Sequence, residues 1–417
     1  MKKAVIFAAF WGNPKHVGVY RVGRIINWLK EADYDVTVVA AGLTDSINQD
    51  GHVKEIIVRD PLKLDLVHRS SENLKAPVRK PNALRRFLAF ALFIPDAHIV
   101  WSLRAARSRA VRDACKDADV ILSSSPLESQ HIGSYLLAKY SGAKLLIDMR
   151  DGWIDEPLRP NIQKKGVRRT IESFIESLIL KKASLIFVTT RMWAKKLGER
   201  LPFTVDKTVV ITNGYPHYNK ADIEKNKIES TFEILHAGQL KNSSPKRNPD
   251  LMFIPILSAI EKIPEKFTLS FYGKLDRNEI ALLQDWNAKF REHGWGIKVN
   301  EYIDRVEILK RMMGCPGLLS FSVSECQLPS KLFEYLYLGR PVLVFSEKGS
   351  AVWEFGKEIP QFYLVDYNDP STFGSIVEYF TKGCKGDEEI CIPEKYHPEE
   401  LKKIFLAALN KLLSPAS

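Results

Sequence analysis

The sequence predicts an α/β protein built as two doubly wound domains. Three observations carry that expectation. Short apolar or β-branched runs alternate with segments of helical periodicity, the pattern of parallel sheets covered on both faces. The rhythm lapses over a polar, loosely patterned stretch, His217 to Ser230, and then starts again. The chain has 417 residues, which suits two domains of about 200 each. The boundary is placed so that residues 1–215 form the first domain and 216–398 the second.

In the first half, Ala4–Phe10 reads as a strand and Val17–Glu31 as a helix. Tyr34–Ala41 is a strand, favoured by the β-branched run Val36, Thr37, Val38 and Val39. Residues 60–82 lack periodicity and read as a long loop carrying Arg69, Lys75, Arg79 and Lys80. A basic helical stretch follows from Pro81 to Phe93, and a second basic helix from Ser102 to Lys116. Then come strand Val120–Ser123, helix Gln130–Tyr140, strand Lys144–Met149 and helix Val167–Lys182. Strand Ser184–Val188, helix Met192–Arg200 and strand Thr208–Ile211 close the half at Asn213-Gly214. The second half opens with strand Glu233–His236, helix Pro249–Ile263, strand Thr268–Tyr272, helix Asn278–His293 and strand Ile297–Tyr302. Helix Val306–Met313, strand Gly317–Phe321, helix 330–338, strands Val342–Phe345 and Tyr363–Val365, and helices Thr372–Thr381 and Glu399–Leu413 complete it.

Hydrophobic and charged contents of 45% and 27% are ordinary for a soluble globular chain. The net charge of +11 is not. It fits an acidic partner such as a sugar nucleotide or an anionic membrane surface. No recognised nucleic-acid module accompanies the charge, so nucleic acid is set aside. The cysteines at 115, 315, 326, 384 and 391 form no C-x-x-C, which implies a reduced, cytoplasmic protein without structural disulfides or zinc. The start, MKKAVIFAAFWG, has too short an apolar run and no cleavage site for a signal peptide, so it reads as a first strand. No run approaches the roughly 20 apolar residues of a membrane span. Arg79, Lys80, Arg85 and Arg86 flank Phe87, Leu88, Phe90, Leu92 and Phe93. Such a helix fits either an anionic membrane surface or a core with one solvated face.

The richest stretch is ECQLPSKLFEYLYLGRPVLVF, Glu325 to Phe345. Pro329 stops an earlier helix start and Ser330 is a good N-cap. Leu332, Phe333, Leu336 and Tyr337 form an apolar stripe, with Lys331 and Glu334 off it. Gly339 ends the helix and Val342–Phe345 is a buried strand. A helix N-terminus at the mouth of a parallel sheet takes anionic phosphates, and a carboxylate on the same helix can accept hydrogen bonds from ribose hydroxyls. The alternative is a surface Lys331/Glu334 pair on an ordinary helix.

P-S-K-L-F-E-Y-L-x-x-G-R-P-V-L resembles the donor-site signature of retaining glycosyltransferases of the GT-B fold, of the large family-four (group 1) type. The resemblance extends over nearly the whole chain. It implies two Rossmann-like domains facing across a cleft, with the nucleotide sugar in the second domain, the acceptor in the first, and helix 399–413 crossing back to the first. It implies that Glu334 binds the nucleotide ribose and that Pro329, Ser330 and Lys331 face the diphosphate. FEILHAGQLKNSSPKRNPDL resembles the family's H-x-G-x-L…R-x-P stretch. There Gly238 allows close backbone approach, and Arg247 is the diphosphate cation, with Lys246 and Lys241 beside it. Lys246-Arg247 also fits a solvated loop. Gln239 stands where many relatives have arginine. Much of the family has a second glutamate eight residues before the one matching Glu334; here that position is Cys326, with Glu325 one place away. Gly273 serves the turn after its strand, with Lys274 as a phosphate contact and Glu301-Tyr302-Ile303 towards the base.

In the first domain, FWGNPKHVGVYR places Gly12 in the loop that relatives bring to the diphosphate and acceptor, with Arg21 and Arg24 solvated or facing the acceptor. SSSPLESQHIGSYLLAKYSGAKLLIDMRDGW resembles a first-domain pattern in which His131 reaches the donor sugar or orients the acceptor; His131 fits equally a histidine satisfying a loop carbonyl. Asp151, at the end of strand Lys144–Met149, would bind the acceptor hydroxyl or hold a neighbouring loop, or pair structurally with Arg150. Asp117-Ala118-Asp119 matches the metal-binding D-x-D of a different glycosyltransferase fold and falls on the wrong architecture here.

The expectation is a cytoplasmic retaining glycosyltransferase, reaching the inner face of the membrane, that moves a sugar from a nucleoside-diphosphate sugar to a hydroxyl of a glycan or lipid-linked glycan in cell-surface polysaccharide synthesis. It needs no cofactor and no metal. The rivals are a catalytically silent nucleotide-sugar-binding partner of another transferase and a GT-B-fold nucleotide-sugar epimerase.

Overall fold

The computed structural model describes residues 1–13, 18–50, 53–64, 93–156, 166–215, 220–225, 227–238, 240, 248–386, 391 and 393–414. The basic stretch 81–93, except Phe93, and most of the 60–82 loop lie outside the described residues. The chain divides into two units, Met1–Thr212 with Lys402–Ser417, and Asn213–Leu401.

The first unit holds strands β1 (Lys2–Phe7), β2 (Tyr34–Gly42), β3 (Ser46–Asp50), β4 (Val53–Arg59), β5 (Val120–Ser124), β6 (Lys144–Met149), β7 (Leu185–Val188) and β8 (Thr208–Val210). They form one sheet in the order β3-β4-β2-β1-β5-β6-β7-β8. All neighbours are parallel except β3, which runs antiparallel along β4. The interior strands β5 and β7 are buried throughout, as a sheet covered on both faces requires. The β3–β4 edge had no counterpart in the sequence reading: SINQD is polar and lies on the edge, where pairing rather than burial selects the strand. The expected helix Ser102–Lys116 is two helices, Ile99–Arg107 and Arg109–Lys116, because Ser108 adopts an extended backbone between them.

The second unit holds β9 (Glu233–Ala237), β10 (Thr268–Tyr272), β11 (Gly296–Asn300), β12 (Gly317–Phe321), β13 (Val342–Phe345) and β14 (Phe362–Val365). Their order is β11-β10-β9-β12-β13-β14, parallel throughout. Side chains alternate across a strand, so Ile234, Leu319, Phe321, Leu343 and Phe345 join one core. Leu235, Leu318, Val342 and Val344 join the other. The expected helix Pro249–Ile263 is α-helical only over Asp250–Ala259, with Pro255 inside it and a 3-10 turn at Ile260–Lys262. Helix Ala351–Gly356, capped by Ser350, is an addition that its brevity hid from periodicity.

Helix Pro398–Leu413 starts in the second unit and ends in the first, where Phe405 packs 5.6 Å from the Trp28 ring and 5.1 Å from Phe187.

Candidate active site

In each sheet the strand order reverses direction at one place. Connections leave to opposite sides there, and a crevice opens at the carboxyl ends of the strands. In the second unit the reversal lies between β9 and β12. Gly238 follows β9, and the loop after β12 leads into helix Ser330–Leu338. His236 stitches the seam, its Nδ1 lying 3.0 Å from the Leu319 carbonyl oxygen.

Gly238 has φ +124°, a conformation closed to most L side chains, and its N–H donates to the Tyr272 carbonyl at 2.7 Å. A Cβ on Gly273 would come within 2.6 Å of the Gly238 oxygen, so glycine there lets the two strand ends approach. Lys331 Nζ lies 3.5 Å from the Ala237 carbonyl oxygen and would be 3.7 Å from a Cβ at Gly238. The Tyr335 hydroxyl accepts from Ala237 N–H at 3.2 Å. Gly238, Gly273 and Lys331 are thus brought together.

The N-cap position of helix Ser330–Leu338 is Pro329, and Ser330 is its first helical residue, with no side-chain cap. This corrects the expectation that Ser330 caps: the extended φ and ψ of a residue just outside the helix fall on Pro329. First-turn N–H groups without a side-chain cap suit an anion.

Glu334, one turn further on, accepts from Arg305 Nη2 through Oε1. Burial raises its carboxyl above the usual range, with Arg305 and Lys331 pulling the other way. Arg305 opens helix Arg305–Gly314, whose cap Asp304 accepts from Val306 and Glu307 N–H at 2.8 and 3.0 Å. Arg305 was missed; the signal for its helix start, Asp304, was in the sequence, but its meeting with Glu334 is a tertiary fact. Cys326 is buried and Glu325 exposed, with the Glu325 carbonyl accepting from Ala351 N–H at 2.7 Å. Lys274 sits 4.9 Å over the exposed Tyr302 ring. Lys241, Lys246, Arg247 and Gln239 lie outside the described residues.

Glu279 is a second residue that sequence reasoning missed. It closes a capping box with Asp276, and its Oε1 also accepts from Leu240 N–H at 3.1 Å, tying the loop after Gly238 to helix Arg277–Arg291.

The first unit reverses between β1 and β5. A recess opens there, its lining including Phe10, Trp11, Val19, Val22, Ser125 and Gln130. Gln130 joins the two strand ends, accepting from Ala9 N–H at 2.7 Å and donating to the Ser124 and Pro126 carbonyls at 3.1 and 3.0 Å. Gly12, at φ +81°, turns the chain after β1.

His131 is interior. Its Nδ1 lies 2.7 Å from Ser123 Oγ, which is 2.9 Å from Ser134 Oγ, and its ring is 6.1 Å from Trp153. Burial pushes the imidazole down to about 4, against the pull of Asp148. Of the two expectations for Arg21 and Arg24, solvated or acceptor-facing, the solvated one fails, because both are buried. Arg21 grips Asp148 with Nε–Oδ2 at 2.9 Å and Nη2–Oδ1 at 2.7 Å, and Ser124 Oγ donates to Asp148 at 2.6 Å. Burial alone would raise the Asp148 carboxyl, but Arg21 and Ser124 hold it below its ordinary value. Burial also lowers Arg24 to about 10, helped by Arg21. Asp151 is half-buried, and burial raises its carboxyl against the pull of Arg150 and Arg21. Asp119 accepts from Lys3 N–H at 2.7 Å and Asp117 pairs with Lys3 Nζ at 3.6 Å, so the D-x-D string anchors the first strand.

Residues 18–214 match the model of the glycosyl transferase 4-like domain. A comparison with curated protein sequences finds no match. Among solved structures, the chain is similar to a sucrose-phosphate synthase from Thermosynechococcus elongatus, at 13% identity and TM-score 0.57, covering 99% of each chain. It is similar to HepE from Anabaena, solved in complex with UDP and glucose, at 13% identity and TM-score 0.56, covering 99% of this chain and 100% of that one. It is also similar to a UDP-GlcNAc 2-epimerase from Neisseria meningitidis bound to UDP-GlcNAc, at 17% identity and TM-score 0.53, with the same coverage. The first unit thus matches a glycosyl transferase 4-like domain, and the chain has the GT-B fold of these structures.

Proposed function

We propose that the protein is a retaining, metal-independent glycosyltransferase that uses a nucleoside-diphosphate sugar and glycosylates a hydroxyl of a glycan or lipid-linked glycan in cell-surface polysaccharide synthesis. The reaction would run in the cytoplasm or at the inner face of the membrane. The observation that carries the reading is the convergence of Gly238, Lys331 and Glu334 at the β9/β12 reversal. Glu334 would hold the ribose through the oxygen that Arg305 leaves outside their bond. Lys331 and the first-turn N–H groups of helix Ser330–Leu338 would take the diphosphate, joined by Arg247. Fixed donors and cations aimed at the leaving phosphate stabilise the charge that grows there as the bond to the sugar breaks. In a retaining transfer the acceptor oxygen bonds the anomeric carbon on the face the phosphate leaves, and the departing phosphate oxygen takes the acceptor proton. The acceptor would enter the recess at the β1/β5 reversal, with Gly12 and Asp151 on the same unit.

A second reading, a silent nucleotide-sugar-binding partner, draws on the burial of Cys326 where many relatives offer a carboxylate. A thermal-shift screen against UDP, GDP, dTDP and ADP sugars, followed by an assay of sugar release in EDTA, tests both. A ligand that binds only the folded state raises Tm by mass action. Stabilisation with metal-free turnover is expected. Stabilisation without turnover on any acceptor supports the silent partner, and no stabilisation by any donor overturns both.

A further inference from the structure

Helix Val167–Lys182 divides its side chains in an unusual way. Its only carboxylates, Glu172 and Glu176, both point inward and are fully buried. Glu172 accepts from Arg168 Nε at 2.7 Å and from Trp153 Nε1 at 2.9 Å. Glu176 accepts from Arg200 Nη1 at 2.6 Å. The outward face is left with Val167, Ile171, Phe174 and Leu178, which are 79%, 40%, 68% and 41% exposed. Their spacing places them in one stripe along the helix. Lys181 and Lys182 extend that face and are exposed. Lys181 Nζ lies 5.6 Å over the ring of Phe203, itself 38% exposed, and Val205 beside it is 59% exposed.

A soluble helix normally turns its charges outward and its large apolar residues inward. Here both acids are spent on interior ion pairs, and the exposed surface of the helix, apolar and basic apart from the neutral Thr170, carries no acid. We propose that this face docks the protein on an anionic lipid surface. The stripe would enter the boundary between headgroups and acyl chains, and Lys181 and Lys182 would meet the acidic headgroups. At 16 residues the helix is too short to span a bilayer, and no helix among the described residues is long and apolar enough to do so. The helix therefore lies on the surface. Charge complementarity selects a lipid partner over a second copy of this chain, since a like-charged basic face would repel its own image. The inference deepens the proposed placement at the inner face of the membrane, on which it rests, by naming the surface that would meet the lipid; it does not rest on the donor chemistry.

The test is co-sedimentation of the full chain with phosphatidylcholine vesicles, with and without about 30% phosphatidylglycerol. The unaltered chain is expected to bind only the anionic vesicles, and less at high salt. Phe174→Glu and Lys181→Glu/Lys182→Glu should each reduce the bound fraction roughly fivefold or more with unchanged Tm. Ile171→Ser/Phe174→Ser serves where the glutamate variant fails to fold. No binding at low salt overturns the proposal, as does wild-type binding by the stripe variants. A dimer in solution that Phe174→Glu converts to monomer also overturns it, because the stripe then belongs to a second copy. None of these readouts involves donor sugar, so they stand apart from any failure of the transfer reading.

Discussion

Glu334 is held by a partner that the motif around it does not contain. Arg305 comes from the preceding helix and fixes the carboxylate as its burial works against the charge. A carboxylate with one oxygen in an ion pair and the other outside it is oriented for ribose hydroxyls. Glu334→Ala is expected to raise the Kd for the donor about tenfold or more, roughly 1.4 kcal/mol, with Tm lowered only slightly. Calorimetry that finds unchanged affinity removes Glu334 from the ribose. The sequence motif was enough to single out Lys331 and Glu334, since both stand off the apolar stripe of their own helix. It was not enough for Arg305 or Glu279, whose contacts join segments distant in the chain. His131 shows the reverse case. A histidine after a serine run looks available on paper, yet Ser123 and Ser134 draw it into the interior.

At the scale of elements, the strand ends matter more than the strands. The turn after β9 and the turn after β10 meet at Gly238 and Gly273, and Lys331 lies against that junction. Gly273→Ala would set a methyl 2.6 Å from the Gly238 oxygen. The turn must shift, at a cost of about 1–3 kcal/mol, and carry Gly238 away from Lys331. Donor affinity should fall more than Tm does. A variant with lower Tm but intact donor affinity would separate the turn from the site. The rhythm of strand and helix was legible because buried parallel strands are runs of Val, Ile, Leu and Phe. The β3–β4 edge was not, because an edge strand such as SINQD needs only a pairing partner. Ser108 likewise splits a helix through its backbone conformation, which periodicity does not register.

For the whole molecule, interior charge sets the response to acid. His131 is held down to about 4 in the folded protein, against about 6.5 in an unfolded chain. Between those values the unfolded chain takes up a proton that the folded one refuses, so stability falls as pH drops through this window, by on the order of 3 kcal/mol. The Tm at pH 5 should therefore lie below that at pH 7, and His131→Asn should narrow the gap while lowering Tm at neutral pH. An equal gap in the variant would place the acid sensitivity elsewhere.

Helix Pro398–Leu413 gives the chain a second covalent passage between its units, besides the one at Thr212. A first unit severed after Thr212 would start life with Trp28 and Phe187 stripped of the Phe405 ring that covers them. The first half of this sequence is therefore not a self-sufficient piece, and a gene encoding residues 1–212 alone should yield a sticky, poorly soluble product unless the tail is supplied alongside it.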